Sequence, residues 1–513
     1  MKKIFIIILL FVSTLIFQNC TDDLNTQPEV ELTLEELLAK DPNAIEGILS
    51  RLYASFALSG PDGPGSSDIS DDAGESPFLR GIVNLQDFTA DAMKNRWGDD
   101  GLDQLTTTSN WDENNKFFRY LYNRIYYTIP QANNLLAVLG NIDIENKQQV
   151  EGEVRFLRSL AYYYLVDCFG KGVLVTEDNI GASAPLLEST RTELFNYIES
   201  ELLAIEDNMP DSNSYGRANK TVVRMLLAKL YLNAEVYTGT AKYNESLSFI
   251  DKVVNEGNYS LATDFVSIFS ADNDLSTEII FPLIADADNS QSYGNTTYIV
   301  NGNLSSETMT LSDFGATDGW GGHRATKAWY GLFGDLDATT DARASLFWRD
   351  GHSYEMTDYK KWTDGYPSVK FRNSNFSSTT TPTAFSSADF PLFRLADAYL
   401  IYAECALRGA NGGDVNKALG FVNNIRTRSN ANSIVQSDLT LDFIIDERAR
   451  ELNLEGHRRS DLIRFGKFTG STYVWPWKGN TKNGTSIPDT YKLFPIPLQA
   501  LEANPNLTQN SGY

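Results

Sequence analysis

Cysteine and histidine are scarce, with three of each in 513 residues. Cys168 and Cys405 sit in apolar helical patterns, Tyr164-Leu165-Val166-Asp167-Cys168-Phe169 and Tyr402-Ala403-Glu404-Cys405-Ala406-Leu407. They read as buried free thiols and not as a disulfide framework or a metal site. His323, His352 and His457 form no H-E-x-x-H or other metal-spaced pair. The nucleophile elbow G-x-S-x-G, the phosphate loop G-x-x-x-x-G-K and the dinucleotide fingerprint are all missing. With 67 acids a glycosidase pair can always be drawn, but its test is a separation in space. Positive charge is short as well: 43 Lys and Arg face 67 Asp and Glu, a net charge of −24. Such a surface repels phosphate backbones, which excludes nucleic acid as a natural partner. No apolar run after the first twenty residues reaches the ~20 needed to span a bilayer.

The N-terminus itself reads as an export signal. Met1-Lys2-Lys3 precedes an apolar run from Ile4 to Leu10, extending to Phe17 and too short for a membrane span. Cys20 follows, in the position that a lipoprotein peptidase leaves at a new, acylated N-terminus. Asn19 stands before it where Gly, Ala or Ser is usual, and the competing reading is an ordinary secreted protein with an incidental cysteine. Residues 1–19 are therefore expected to be a lipoprotein signal peptide. Their loss removes Lys2 and Lys3 and no acids, taking the net charge from −24 to −26.

The remainder reads as mainly α. Helical spacing of apolar residues marks 34–58, 115–139, 145–168, 190–207, 218–237 and 241–256, then 395–404, 414–428 and 440–455. Ala228, Leu230, Tyr231, Ala234 and Tyr237 mix small and aromatic residues, as do residues 395–404. Small residues let a neighbouring helix approach and aromatics fill the gap, the pattern of tetratricopeptide-like helix pairs. Between 260 and 390 Gly, Ser, Thr, Asn and Asp dominate, broken by short runs such as Glu278-Ile279-Ile280-Phe281-Pro282-Leu283. No long linker divides the chain, so residues 20–513 are expected to form one unit: a helical half over 20–260, then a loop-rich and C-terminal region over 261–513. Loops held on a rigid scaffold are where binding is expected.

Three aromatics fall in polar, Gly-rich loops where no core pattern accounts for them. Trp97 stands in Asn95-Arg96-Trp97-Gly98-Asp99, Tyr293 in Ser292-Tyr293-Gly294-Asn295 and Trp320 in Asp318-Gly319-Trp320-Gly321-Gly322. An exposed ring suits the C–H face of a sugar, and flanking polar groups can bond its hydroxyls. The competing reading has each ring plug its own loop onto the core. Trp475 and Trp477 read as packing residues.

Several blocks resemble the SusD/RagB family of outer-membrane nutrient-binding lipoproteins. They include Gly74-Glu75-Ser76-Pro77-Phe78-Leu79-Arg80, Glu153-Val154-Arg155-Phe156-Leu157-Arg158, Gly216-Arg217-Ala218-Asn219-Lys220 and Leu227 to Gly239. Asp389 to Leu400, Glu455 to Lys467, Trp475 to Asn480, Phe494-Pro495-Ile496-Pro497 and Leu507 to Tyr513 continue the likeness in the family's order. The resemblance implies a non-catalytic, lipid-anchored protein on the outer membrane facing the cell exterior, where Asp22 and Asp23 after Cys20 accompany surface display. It implies capture of an α-1,4-glucan for polysaccharide utilisation and transfer to a SusC-type TonB-dependent transporter. The family's starch site maps onto Trp97, Tyr293 and Trp320, with Asp72, Arg80 and Asp100 as polar contacts. Asp100 replaces an Asn of the starch binder. A calcium ion at Asp272 and Asp274, near Glu278, is compatible with the family. The rival readings are a surface glycoside hydrolase, the same fold with another cargo such as laminarin or a peptide, and a lid for the transporter.

Overall fold

The computed structural model describes residues 34–41, 43–69, 72–98 and 101–513. The export segment, Cys20 and Asp100 lie outside them. Helices dominate and begin where local chemistry starts them. Asn115 caps Lys116–Leu139 by accepting from Phe117 N–H. Thr190 and Glu193 form a reciprocal capping box on Arg191–Glu206. Asn219 caps Lys220–Leu232 through Val222 N–H. Helices adjacent in sequence pack on one another: Lys116–Leu139 on Lys147–Cys168, that on Arg191–Glu206, and Lys220–Leu232 on Tyr243–Glu256. Tyr243–Glu256 also packs on Leu395–Leu407, which meets Val415–Arg428.

The small-and-aromatic pattern does what its spacing implies. Ala228 and Ala234 are buried between helices, and Tyr231 stacks on Phe249 with centroids 5.9 Å apart. In the C-terminal part Tyr399 stacks on Phe421 at 4.2 Å. Among the described residues, hydrogen-bonded strands occur as short antiparallel pairs: Met93–Asn95 with His323–Ala325, Gly172–Val173 with Glu188–Ser189, and Ile279–Leu283 with Phe390–Arg394. One contiguous hydrophobic cluster runs from Leu38 to Ile496. Cys168 and Cys405 lie within it as free thiols, and burial pushes the Cys405 thiol up to about 12. Among the described residues no helix is long and apolar enough to cross a membrane.

Inside this core lies a dense ionic network. Arg394 donates to Glu278 at 2.8 Å, to Glu451 at 2.7 Å and to Glu455 at 2.6 and 2.8 Å. Glu451 also pairs with Arg343 and Arg428, and Glu447 with Arg343, Arg426 and Arg450. Burial raises the Glu447 carboxyl, but Arg343, Arg450 and Arg426 outweigh it and hold it down to about 2. Asp461, against the same effect of burial, is held down to about 2 by Arg448 and Arg464. Both carboxyls titrate near about 4 in an unfolded chain. Their stabilisation is therefore complete above that pH and is lost as pH falls toward the folded values. The thermal unfolding midpoint is expected to drop steeply below about pH 4. A midpoint that stays flat down to about pH 2.5 would show that the network contributes no net stability. Arg394→Ala takes one cation from each of three buried carboxylates, which keep Arg428, Arg343 and Lys370 as partners, and is expected to cost roughly 3–5 kcal/mol in urea unfolding; a loss within about 1 kcal/mol, the range of an exposed pair, would refute this.

Candidate functional site

The ribbon of Met93–Asn95 and His323–Ala325 creates the site. Its register sets Asn95 opposite His323, so the chain leaves one strand toward Trp97 just where it enters the other from Trp320. Arg96 N–H donates to Gly322 O at 2.9 Å and prolongs the ladder by one step. The Asn95 side chain accepts from Trp97 N–H at 2.7 Å and turns the chain outward. The two indoles stand with centroids 6.5 Å apart and planes inclined at 47°. Trp97 lies against Gly322, where a Cβ would meet its Cζ2 at 2.4 Å and its Cε2 at 2.6 Å. Only glycine leaves room for the ring there.

The helix Thr296–Asn303 assembles the rest. At its start Asn295 caps Thr297 N–H, and Tyr293 precedes the cap. At its end the carbonyls of Asn301, Leu304 and Gly302 accept from Trp320, Gly321 and Gly322 N–H at 2.7, 2.7 and 2.8 Å. The Tyr293 ring thus comes within 6.4 Å of Trp320, inclined at 48°. Tyr293 is 44% exposed, while Trp97 and Trp320 are half-buried. Trp97, Trp320 and Tyr293 therefore form a bent row, each ring turned by nearly the same angle from its neighbour. Phe385 extends the row, 5.0 Å from Tyr293. The cue that marks the other rings, an aromatic in a polar loop, also marks Phe385 in Thr383-Ala384-Phe385-Ser386, though the sequence reading did not single it out.

Beneath the row Tyr298 and His323 make a fully buried floor, with ring centroids 4.6 Å apart. His323 also lies 5.4 Å from Trp97. Burial, then Arg80 and Arg324, push this imidazole well below its usual range, so it packs as a neutral ring. Arg80 lies over Tyr298 at 4.3 Å and donates to Gly74 O and Glu75 Oε1 at 3.0 and 3.3 Å. Its side chain is only 9% exposed, so it supports the site from below more than it reaches out of it. Asp72 accepts from Glu75 N–H at 2.9 Å. A Cβ at Gly74 would stand 3.5 Å from Tyr293 Cβ and 3.7 Å from Asp72 Oδ1, which places Asp72 beside the Tyr293 end. Arg124 holds this loop by donating to Ser59 O and Ser76 O. The structure thus brings together Trp97, Tyr293, Trp320, Asp72 and Arg80.

The remaining candidates lie elsewhere. Asp272 accepts from Phe376 N–H at 2.6 Å and from Ser377 N–H at 3.0 Å, while Glu278 is paired with Arg394 and Arg428. Among the described residues no group of three or more His, Cys, Asp or Glu converges to hold a metal. Calcium there would have to draw on Asp272 and Glu278, whose carboxylates are already engaged. Trp475 is buried against Phe468 and Tyr473, and Trp477 packs on Tyr359. Both are packing residues.

Comparison with known proteins decides the family. The chain is 34% identical over 521 aligned residues to the starch-binding protein SusD of Bacteroides thetaiotaomicron, covering 91% of this chain and 92% of that one. The chain belongs to the SusD family. Residues 337–513 match the profile described as the SusD family, and residues 77–232 one described as starch-binding associating with outer membrane. Solved SusD structures share the fold. A SusD superfamily protein from Parabacteroides distasonis aligns with a TM-score of 0.72 at 22% identity, over 92% of this chain and 99% of that one. A surface glycan-binding protein A from Bacteroides thetaiotaomicron, in complex with laminarihexaose, aligns at 0.69 and 21% over 91% and 99%. The mainly helical SusD fold is thus shared across the described length.

The seat of Trp97 is open to a direct check. Gly322→Ala is expected to lift the indole and to cost about 1–3 kcal/mol of stability through overpacking. Near-ultraviolet circular dichroism should register the displaced ring, and an unchanged spectrum would show that Trp97 does not rest on Gly322.

Proposed function

We propose that this SusD family protein captures an α-1,4-glucan, starch or a malto-oligosaccharide, on the Trp97, Trp320 and Tyr293 row. The bend of that row carries the reading. Rings inclined at 47° and 48° to their neighbours cannot form one flat platform, and a helically curved glucan can lay successive sugar faces on them. Asp72, beside Tyr293, would bond sugar hydroxyls, and Arg80 and Asp100 are the further polar contacts expected from the family. The carboxylates near the rings have structural partners: Asp318 holds Trp320, and Glu75 pairs with Lys116 and Arg80. That arrangement favours binding over acid–base chemistry. Cys20 would anchor the protein in the outer membrane, facing the exterior, for delivery of the glucan to a SusC-type TonB-dependent transporter. The second reading keeps the site and changes the cargo to laminarin. A solved protein of this fold binds laminarihexaose, which favours that alternative over others.

Affinity electrophoresis of the protein lacking residues 1–20, through gels containing amylopectin, laminarin or no glycan, separates the two. Retardation by amylopectin is expected, and its loss in a Trp97→Ala, Trp320→Ala double variant, each truncation costing about 2 kcal/mol or roughly 30-fold. Free migration in amylopectin would sink the α-glucan reading, and retardation by laminarin alone would establish the other.

A further inference from the structure

The central ring of the row is held by an acid two residues before it. Trp320 Nε1–H donates to Asp318 Oδ2 at 2.8 Å. The other oxygen, Oδ1, accepts from Gly319 N–H at 2.8 Å. The carboxylate is therefore fixed to the loop by one oxygen and to the indole by the other. The loop is fixed in turn. Trp320 and Gly321 N–H bond the end of the Thr296–Asn303 helix, and a Cβ at Gly319 would meet Leu304 O at 2.8 Å. Backbone contacts thus locate the Trp320 Cα, but they leave the turn of the indole about its two side-chain bonds undecided. Trp97 and Tyr293 flank the ring at 6.5 and 6.4 Å, inclined rather than stacked, and Trp320 stays half-exposed. Its pyrrole edge is the part with a directional bond.

We infer that Asp318 is a positioning residue that sets the tilt of Trp320 and, through it, the curvature for which the row selects. This rests on the reading of the row as a glucan site. A Trp320 free to turn would still offer an apolar face to a sugar, but not at the angle that two successive inclined faces require. Ordering the ring would then have to occur on binding, which weakens the ligand that uses the bend most. With one oxygen committed to the indole and the other to the loop, Asp318 would act through Trp320.

The test uses 15N-indole-labelled protein, with the Trp320 resonance assigned through Trp320→Phe, alongside Asp318→Ala and Asp318→Asn. In Asp318→Ala the Trp320 Nε1–H signal is expected to shift and to exchange faster with water. In Asp318→Asn the single amide oxygen can accept from the indole while the bond from Gly319 N–H is lost, so the signal is expected to move less than in Asp318→Ala. Amylopectin affinity should fall by about 2- to 10-fold in the Ala variant, the cost of ordering one side chain, and recover in the Asn variant. Laminarin retention should change less, so the ratio between the two glycans should narrow. An unmoved Trp320 signal in Asp318→Ala overturns the positioning role. Loss of amylopectin binding in Asp318→Asn with the Trp320 signal in its original place overturns it too, since the carboxylate itself would then be the contact. If the unaltered protein binds neither glucan, the α-glucan and laminarin readings and the selectivity role fall together, while the indole signal alone decides whether Asp318 positions the ring.

Discussion

The buried carboxylate of Glu451, shared by Arg343, Arg394 and Arg428, is the interaction on which the seat of the aromatic row depends. Charges withdrawn from water are tolerable only when every one has partners. Here that requirement joins segments far apart in sequence: Glu278 before one strand, Arg394 at the end of its partner, and Glu447, Glu451 and Glu455 on and after one helix. The linkage continues toward the aromatic row. Arg458 grips Asp91 at 2.8 and 2.7 Å, and Leu454 and Gly456 N–H donate to Asp87. Asp91 O accepts from the Thr326 hydroxyl at 2.6 Å, and Ala92 O from Thr326 N–H at 2.9 Å. These residues flank the two strands that leave Trp97 and Trp320 side by side. The exposed aromatics are thus tied to the ionic core through a few short backbone steps.

How much of this was legible in sequence follows from the range of the forces involved. Helices announced themselves because apolar spacing acts within one or two turns. The ribbon of Met93–Asn95 with His323–Ala325 did not, since three-residue strands carry no period to read and their partners are remote. Trp97, Tyr293 and Trp320 stood out as rings in polar loops, yet nothing local placed them in one row. Tyr298 and His323 could not be told from ordinary core, because packing under a site leaves no mark of its own. Arg80 shows the opposite case. The family pattern pointed to it as a polar contact, and the structure buries it against Tyr298 with its guanidinium bonded to Gly74 and Glu75.

Family and cargo rest on different parts of the molecule. The helical scaffold carries the likeness to SusD structures at about one-fifth sequence identity. On the proposed reading the choice of glycan falls to a handful of side chains on loops, where a common fold permits different ligands. A row whose rings are set at fixed angles selects by shape, and shape is a property that few side chains suffice to alter.

The Thr296–Asn303 helix supports two neighbours in that row, with Tyr293 just ahead of its first turn and the Trp320 loop pinned to its last carbonyls. It therefore works as a ruler. Each residue of an α-helix advances the chain by about 1.5 Å and turns it by about 100°. Lengthening or shortening this helix by one residue would swing one end of the row out of line instead of stretching it smoothly. Spacing between the rings is in this sense quantised, and descendants of this protein that take up a new glycan have an easier route through exchanging rings than through moving them.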